Sequence, residues 1–127
     1  MNLEKVIFGF FIVLACTLNF GFFIGEIDNP DHHNVYEFFA AMVVSLIATV
    51  LKFGDRTHIG AVLLATSLVA DLQLVAAAFV WGYAEHISGT GMTPSVMSSV
   101  VSLSAGALLA NLTSVILLMV ETILLRR

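Results

Sequence analysis

Charge is what this 127-residue chain has least of: 11% of its residues are charged, against about a quarter in soluble domains. With 59% hydrophobic residues and a mean hydropathy of +1.00, too few polar groups remain to cover a small globule. A water-soluble compact monomer is excluded, and the surplus apolar surface has to face lipid. Basic residues are scarcest, five Lys and Arg against nine Asp and Glu, so there is no electrostatic footprint for nucleic acid. A lone cysteine, Cys16, rules out an internal disulfide and a Cys-based zinc site. There is no Arg-rich helix of the voltage-sensing kind and no Thr-Val-Gly-Tyr-Gly-like filter. Nucleophile–base pairs, phosphate-binding glycine loops and Cys/His metal spacings are missing too, so an enzyme is not expected and no cofactor is implied.

What is present is four long apolar runs, at 6–25, 36–53, 59–83 and 95–125. Crossing roughly 30 Å of hydrocarbon takes about 20 helical residues at about 1.5 Å each. The second run is slightly short, and the third and fourth are long enough to tilt or protrude. The alternation that a transmembrane strand needs is absent. The reading is an all-α integral membrane protein with four transmembrane helices in one unit. Val13-Leu14-Ala15-Cys16 looks loosely like a lipoprotein cleavage site, but Leu14 is too large and the apolar run continues past Cys16, so the segment reads as a retained helix.

Orientation follows from the basic residues. Lys5, Lys52, Arg56, Arg126 and Arg127 all fall on one side of a four-helix topology, while Glu26, Asp28, Asp31, Glu37 and Glu85 fall on the other. Lys and Arg bias sets topology, which puts both chain ends in the cytoplasm. The connections carry breaker residues: Asn29-Pro30-Asp31, Gly54-Asp55-Arg56-Thr57 and Ser88-Gly89-Thr90-Gly91. Thr93-Pro94 reads as the N-cap and first-turn proline of the fourth helix. Trp81, Tyr83 and Tyr36 fit an aromatic belt at one interface.

Membrane helices associate by close packing, so small residues four apart mark contact faces. Ser98, Ser102, Gly106, Ala110 and Ser114 form such a stripe on the fourth helix, and Thr17, Gly21 and Gly25 with Gly9 on the first. Four helices offer a limited interior and the third is polar on two faces, so a homo-oligomer is expected.

Counting depth brings out a polar layer. Asp71 lies 12 residues beyond Ile59, Asn19 lies 13 beyond Val6, and Asn111 lies 14 before Leu125. At about 1.5 Å per residue, all three fall roughly 18–21 Å from the inner boundary, with Ser45 and Gln73 near the same level. A charged Asp there costs roughly 2.5–3.5 kcal/mol, which is large beside a total stability of about 5–15 kcal/mol. No Lys, Arg or His stands at that depth to offset it. Asp71 is then neutral and hydrogen-bonded to Asn19, Asn111 or Ser67, or ionised in a wet cavity, or bound to a cation. Gln73 lies about 200° round the helix from Asp71, so one of the two is expected to face the protomer's own bundle and the other a neighbour or pore. Ser104, Asn111, Ser114 and Glu121 form a further stripe that either lines a half-channel towards the cytoplasm or is inert, with the serines bonded to their own helix and Glu121 near Arg126 and Arg127. In the outer loop, Asp28, Asp31, His32, His33 and Glu37 read as a solvated acidic turn. Together with Glu26 they would concentrate cations at a mouth, and His32 and His33 are weak metal candidates.

Asn29-Pro30-Asp31-His32-His33, Lys52-Phe53-Gly54-Asp55-Arg56 and Leu68-Val69-Ala70-Asp71-Leu72-Gln73 make the chain resemble an uncharacterised family of small bacterial inner-membrane proteins, a domain of unknown function. The resemblance implies an inner-membrane setting and no activity. The first helix lacks the glutamate of small multidrug transporters, and the Thr-Phe-Ser-Thr-like pattern of fluoride channels is missing. The expectation is a homo-oligomeric cation or proton channel or transporter organised around Asp71, with Asn19 and Asn111 orienting it or sharing the ion. The competing class is a non-conducting accessory or scaffolding subunit of a larger membrane complex.

Overall fold

A computed structural model describes residues 3–24, 35–53, 57–89, 91 and 93–125. It contains four α-helices, α1 (Leu3–Phe23), α2 (Val35–Lys52), α3 (His58–Gly82) and α4 (Pro94–Leu125). All four are long and apolar enough to cross a membrane. α1 begins before the expected residue 6, because Glu4 and Lys5 join its first turn instead of leading into it.

The ends form as local chemistry dictates. Thr57 caps α3 by accepting a hydrogen bond from the Gly60 N–H at 3.0 Å. Thr93 does the same for α4 with the Val96 N–H at 3.2 Å, and Pro94 opens the first turn, where no N–H is missed. α3 does not stop at its expected end. It widens into a π-helical turn, Tyr83–Ile87, closed by the Ser88 N–H on the Tyr83 carbonyl at 2.8 Å. Gly89 and Gly91 then reverse the chain at φ 74° and 70°, a region that costs glycine nothing.

Each helix packs on its two sequence neighbours, with α4 returning to α1, so the helices stand at the corners of a square. α3 and α4 share the most extensive contact and α2 and α3 the least. Cross-helix contacts fix an antiparallel register: Lys5 meets Glu121, Phe8 meets Lys52, Ser45 meets Asp71, and Thr66 meets Ser114. One end of the bundle therefore carries the start of α1, the end of α2, the start of α3 and the end of α4; it is called the terminal end below.

The interior is uneven along its length. Away from the terminal end it is filled by Phe22, Phe38, Leu74, Ala77, Met97, Val100 and Val101. Phe22, Phe38 and Trp81 stack there with centroids 5.0–6.0 Å apart. Trp81 thus closes the core rather than serving only as a belt anchor, whereas Tyr36 and Tyr83 point outward as expected. Nearer the terminal end, a smaller apolar cluster of Phe8, Ile12, Ala48 and Leu63 shares the interior with polar side chains.

Candidate functional site

Helical spacing explains why the polar groups converge. Ser45 and Thr49 are four apart on α2, hence stacked on one face, and both are buried against α3. Asp71 and Ser67 have the same relation on α3. Across this narrow α2–α3 seam, Ser45 Oγ donates to Asp71 Oδ1 at 2.7 Å, and Thr49 Oγ1 hydrogen-bonds Asp71 Oδ2. Thr49 Oγ1 also lies 3.0 Å from the carbonyl of Ser45 in its own helix. Asp71 is 6% exposed, and among the described residues no basic side chain lies within ion-pair reach of it.

The expected partners of Asp71 therefore need correction. Neither Asn19, Asn111 nor Ser67 binds it; the hydroxyls of α2 do. Only Ser45 was foreseen, and only as a group at the same level. Thr49 was missed, although its place one turn after Ser45 is a legible signal. The level of the carboxyl along the bundle is set by its partners on α2. Side chains point back towards the start of their helix, so the Asp71 carboxyl reaches towards the terminal end. Its partners Thr49 and Ser45 lie about 5 and 10 Å along α2 from Lys52 at about 1.5 Å per residue. α3 begins beyond the end of the shorter α2, so a count from the start of α3 overstates how far the carboxyl stands from the end of α2.

The remaining polar side chains form a column rather than one plane. Farthest from the terminal end, Ser104 of α4 donates to Asn19 Oδ1 of α1. Gln73 lies against Gly106 of α4, where its amide occupies the space a Cβ would need. Gln73 and Asp71 thus turn to different neighbours within the protomer, α4 and α2, with Asp71 buried and Gln73 half-buried. Asn111 is fully buried about two turns from Ser104 along α4, with neither atom of its amide hydrogen-bonded. Ser67 Oγ, Asn19 Nδ2 and Gln73 Oε1 are likewise buried without a partner. Ser114 shares a 2.5 Å hydrogen bond with Thr66 of α3. At the terminal end, Glu121 pairs with Lys5 of α1 at 2.5 Å, and the Lys52 ammonium sits 4.4 Å above the ring of Phe8.

The serines of the α4 stripe thus bond to neighbouring helices rather than to their own. Ser104, Asn111, Ser114 and Glu121 are all buried inside the bundle, and three of the four bind another helix. Lys52, within the second apolar run, belongs to α2 and is only 5% exposed. Sequence reasoning passed over the half-buried Thr66 and the contacts that Lys5 and Lys52 make with Glu121 and Phe8. In the outer acidic group, Glu37 is half-buried, with its carboxyl against Gly21 of α1. Glu26, Asp28, Asp31, His32 and His33 lie outside the described residues, as do Gly25, Arg56, Arg126 and Arg127. Among the described residues, no three His, Cys, Asp or Glu side chains come together as a metal site would require.

The chemistry available is that of one carboxyl held by two hydroxyls, with the Thr66–Ser114 and Lys5–Glu121 pairs nearer the terminal end, beside a small apolar cluster, and the Asn19–Ser104 pair farther from it. No curated protein and no solved structure matches the chain. One family model, described as a family of unknown function (DUF6394), matches residues 32–122, so α2, α3 and most of α4 fall within it. The chain is a four-helix membrane protein that belongs to this family of unknown function.

Proposed function

We propose that this protein moves protons or small cations in the bacterial inner membrane, with Asp71 as the ionisable centre inside each protomer. The observation that carries the reading is the environment of that carboxyl. It is buried in a bundle of membrane-length helices and, among the described residues, has no basic partner and is held by neutral hydroxyls. Ionisable groups so placed are expensive, and in membrane helices they mark ion or proton paths.

The asymmetry of the interior gives the path a direction. Polar side chains continue from Asp71 to the terminal end, which the basic residues assign to the cytoplasm. The other half is filled by Phe22, Phe38, Trp81 and their apolar neighbours. This favours a gated pathway, closed on the aromatic side, over a permanently open pore. Several copies would meet through exposed small residues on α4, where Ser95, Ser99 and Ser102 face outward. Conduction does not require them to do so, because the site is built within one chain.

The test is flux. Purified protein in liposomes, with a pH-sensitive dye inside and an imposed proton or monovalent-cation gradient, should dissipate the gradient, and Asp71→Asn should not. Equal flux from wild type and Asp71→Asn would overturn the assignment of Asp71. No flux from either would overturn transport and favour the accessory-subunit reading.

A further inference from the structure

We infer that the ligand of the Asp71 site is a proton, taken up through a hydroxyl switch made by Thr49 and Ser45. The inference rests on the reading of Asp71 as the ionisable centre and deepens it by choosing between proton and cation. Its basis is a count of hydrogens. Thr49 Oγ1 stands within hydrogen-bond reach of two acceptors, the Ser45 carbonyl at 3.0 Å and Asp71 Oδ2. A hydroxyl carries one proton and can serve only one of them at a time.

Two arrangements of the same heavy atoms follow, and both are fully bonded. With Asp71 ionised, Thr49 donates to Oδ2 and Ser45 Oγ donates to Oδ1. With Asp71 protonated on Oδ2, the new O–H donates to Thr49 Oγ1, and the Thr49 hydroxyl rotates to donate to the Ser45 carbonyl, while Ser45 Oγ still donates to Oδ1. Loading therefore forms one O–H bond at Oδ2, breaks one O–H bond in the hydronium that delivers the proton, and turns one hydroxyl. No helix has to move.

A metal cation fits the site poorly. It needs several oxygen lone pairs directed at one point, whereas in the ionised form both carboxylate oxygens already receive hydroxyl protons. The other titratable groups on the helices packed round the site answer to different partners or stand elsewhere. On α2, Lys52 lies one turn past Thr49 over the ring of Phe8, and Glu37 lies at the far end against Gly21. On α1 and α4, Lys5 and Glu121 hold each other, and α1 also carries the half-buried Cys16. On α3 itself, His58 is exposed at the terminal end.

Infrared difference spectroscopy of the intact protein in lipid, titrated with acid in water and in heavy water, tests the switch. Wild type should show the carbonyl stretch of a protonated carboxyl, shifted in heavy water and absent in Asp71→Asn. Ser45→Ala should move the band to higher frequency, because the remaining C=O no longer accepts a hydrogen bond. Thr49→Val should change the band and Thr49→Ser should restore it. No Asp71-dependent band at any pH at which the helices persist would overturn the inference, as would a band indifferent to both Ser45→Ala and Thr49→Val. Flux is read separately, so the two failures differ. A switching band without flux keeps the proton site and sinks transport, whereas Asp71-dependent cation flux without a band sinks the proton site and keeps transport.

Discussion

Among the described residues, two buried acids meet the cost of burial in opposite ways, Glu121 with the ammonium of Lys5 and Asp71 with hydroxyls. Opposite consequences on truncation follow. Hydrogen bonds between membrane helices average about 0.6 kcal/mol, while an Asp within a span costs roughly 2.5–3.5 kcal/mol. The orphaned hydroxyl of Thr49 already has the Ser45 carbonyl to fall back on. Asp71→Ala should therefore lose less than about 1 kcal/mol, or gain stability, when unfolding is followed in mixed detergent. A loss of about 2 kcal/mol or more would make Asp71 a structural tie instead. Glu121 behaves the other way. Lys5→Met leaves its carboxyl buried without a counter-charge and should cost about 1–3 kcal/mol. Glu121→Gln leaves a partly exposed lysine whose stem can extend to the interface, at a cost below about 1 kcal/mol. A double-mutant cycle over the pair checks the asymmetry, and equal costs would contradict it.

Small residues are what let the helices approach, and the structure separates those that do so inside the bundle from those that do not. Gly106 admits the amide of Gln73 and Gly21 the carboxyl of Glu37, while Gly9 faces Leu118. Ser102, in the same α4 stripe as Gly106, is exposed. Gly106→Ala should be mild, under about 1 kcal/mol, because the clashing atoms end a flexible side chain. Gly106→Leu should push α3 from α4 and cost about 1–3 kcal/mol in the same unfolding assay. Ser102→Leu should leave that stability unchanged, and a change in the size of the purified particle on Ser102→Leu is the result expected if copies pack there. The helices themselves were legible to within a few residues, because long apolar runs and the Thr57 and Thr93-Pro94 caps act locally. The π-helical turn Tyr83–Ile87 was not, since nothing in Tyr83-Ala84-Glu85-His86-Ile87 marks a change of helical pitch before Gly89.

Taken whole, the interior carries more polar side chains towards the terminal end and is closed by Phe22, Phe38 and Trp81 at the other, with the Asn19–Ser104 pair among the apolar residues there. The basic residues predict which half faces the cytoplasm. A fluorescent reporter on the carboxyl end should be active, and an export-dependent phosphatase fused there should be inactive. The reverse result would invert the bundle and with it the direction of access to Asp71.

Composition and hydropathy were enough to establish four membrane helices, because the bilayer imposes length and apolarity on each span independently of its neighbours. They also singled out Asp71, since a carboxyl in an apolar run is visible without coordinates. Which groups answer it was a matter of how the helices stand against one another. The offset between the short α2 and the longer α3 brings Thr49 to Asp71, and the α1–α4 register gives Asn19 to Ser104 and Lys5 to Glu121. Depth counted from each helix start treats every helix as beginning in one plane. Packing sets those starts at different heights, and so turned an expected layer into a column.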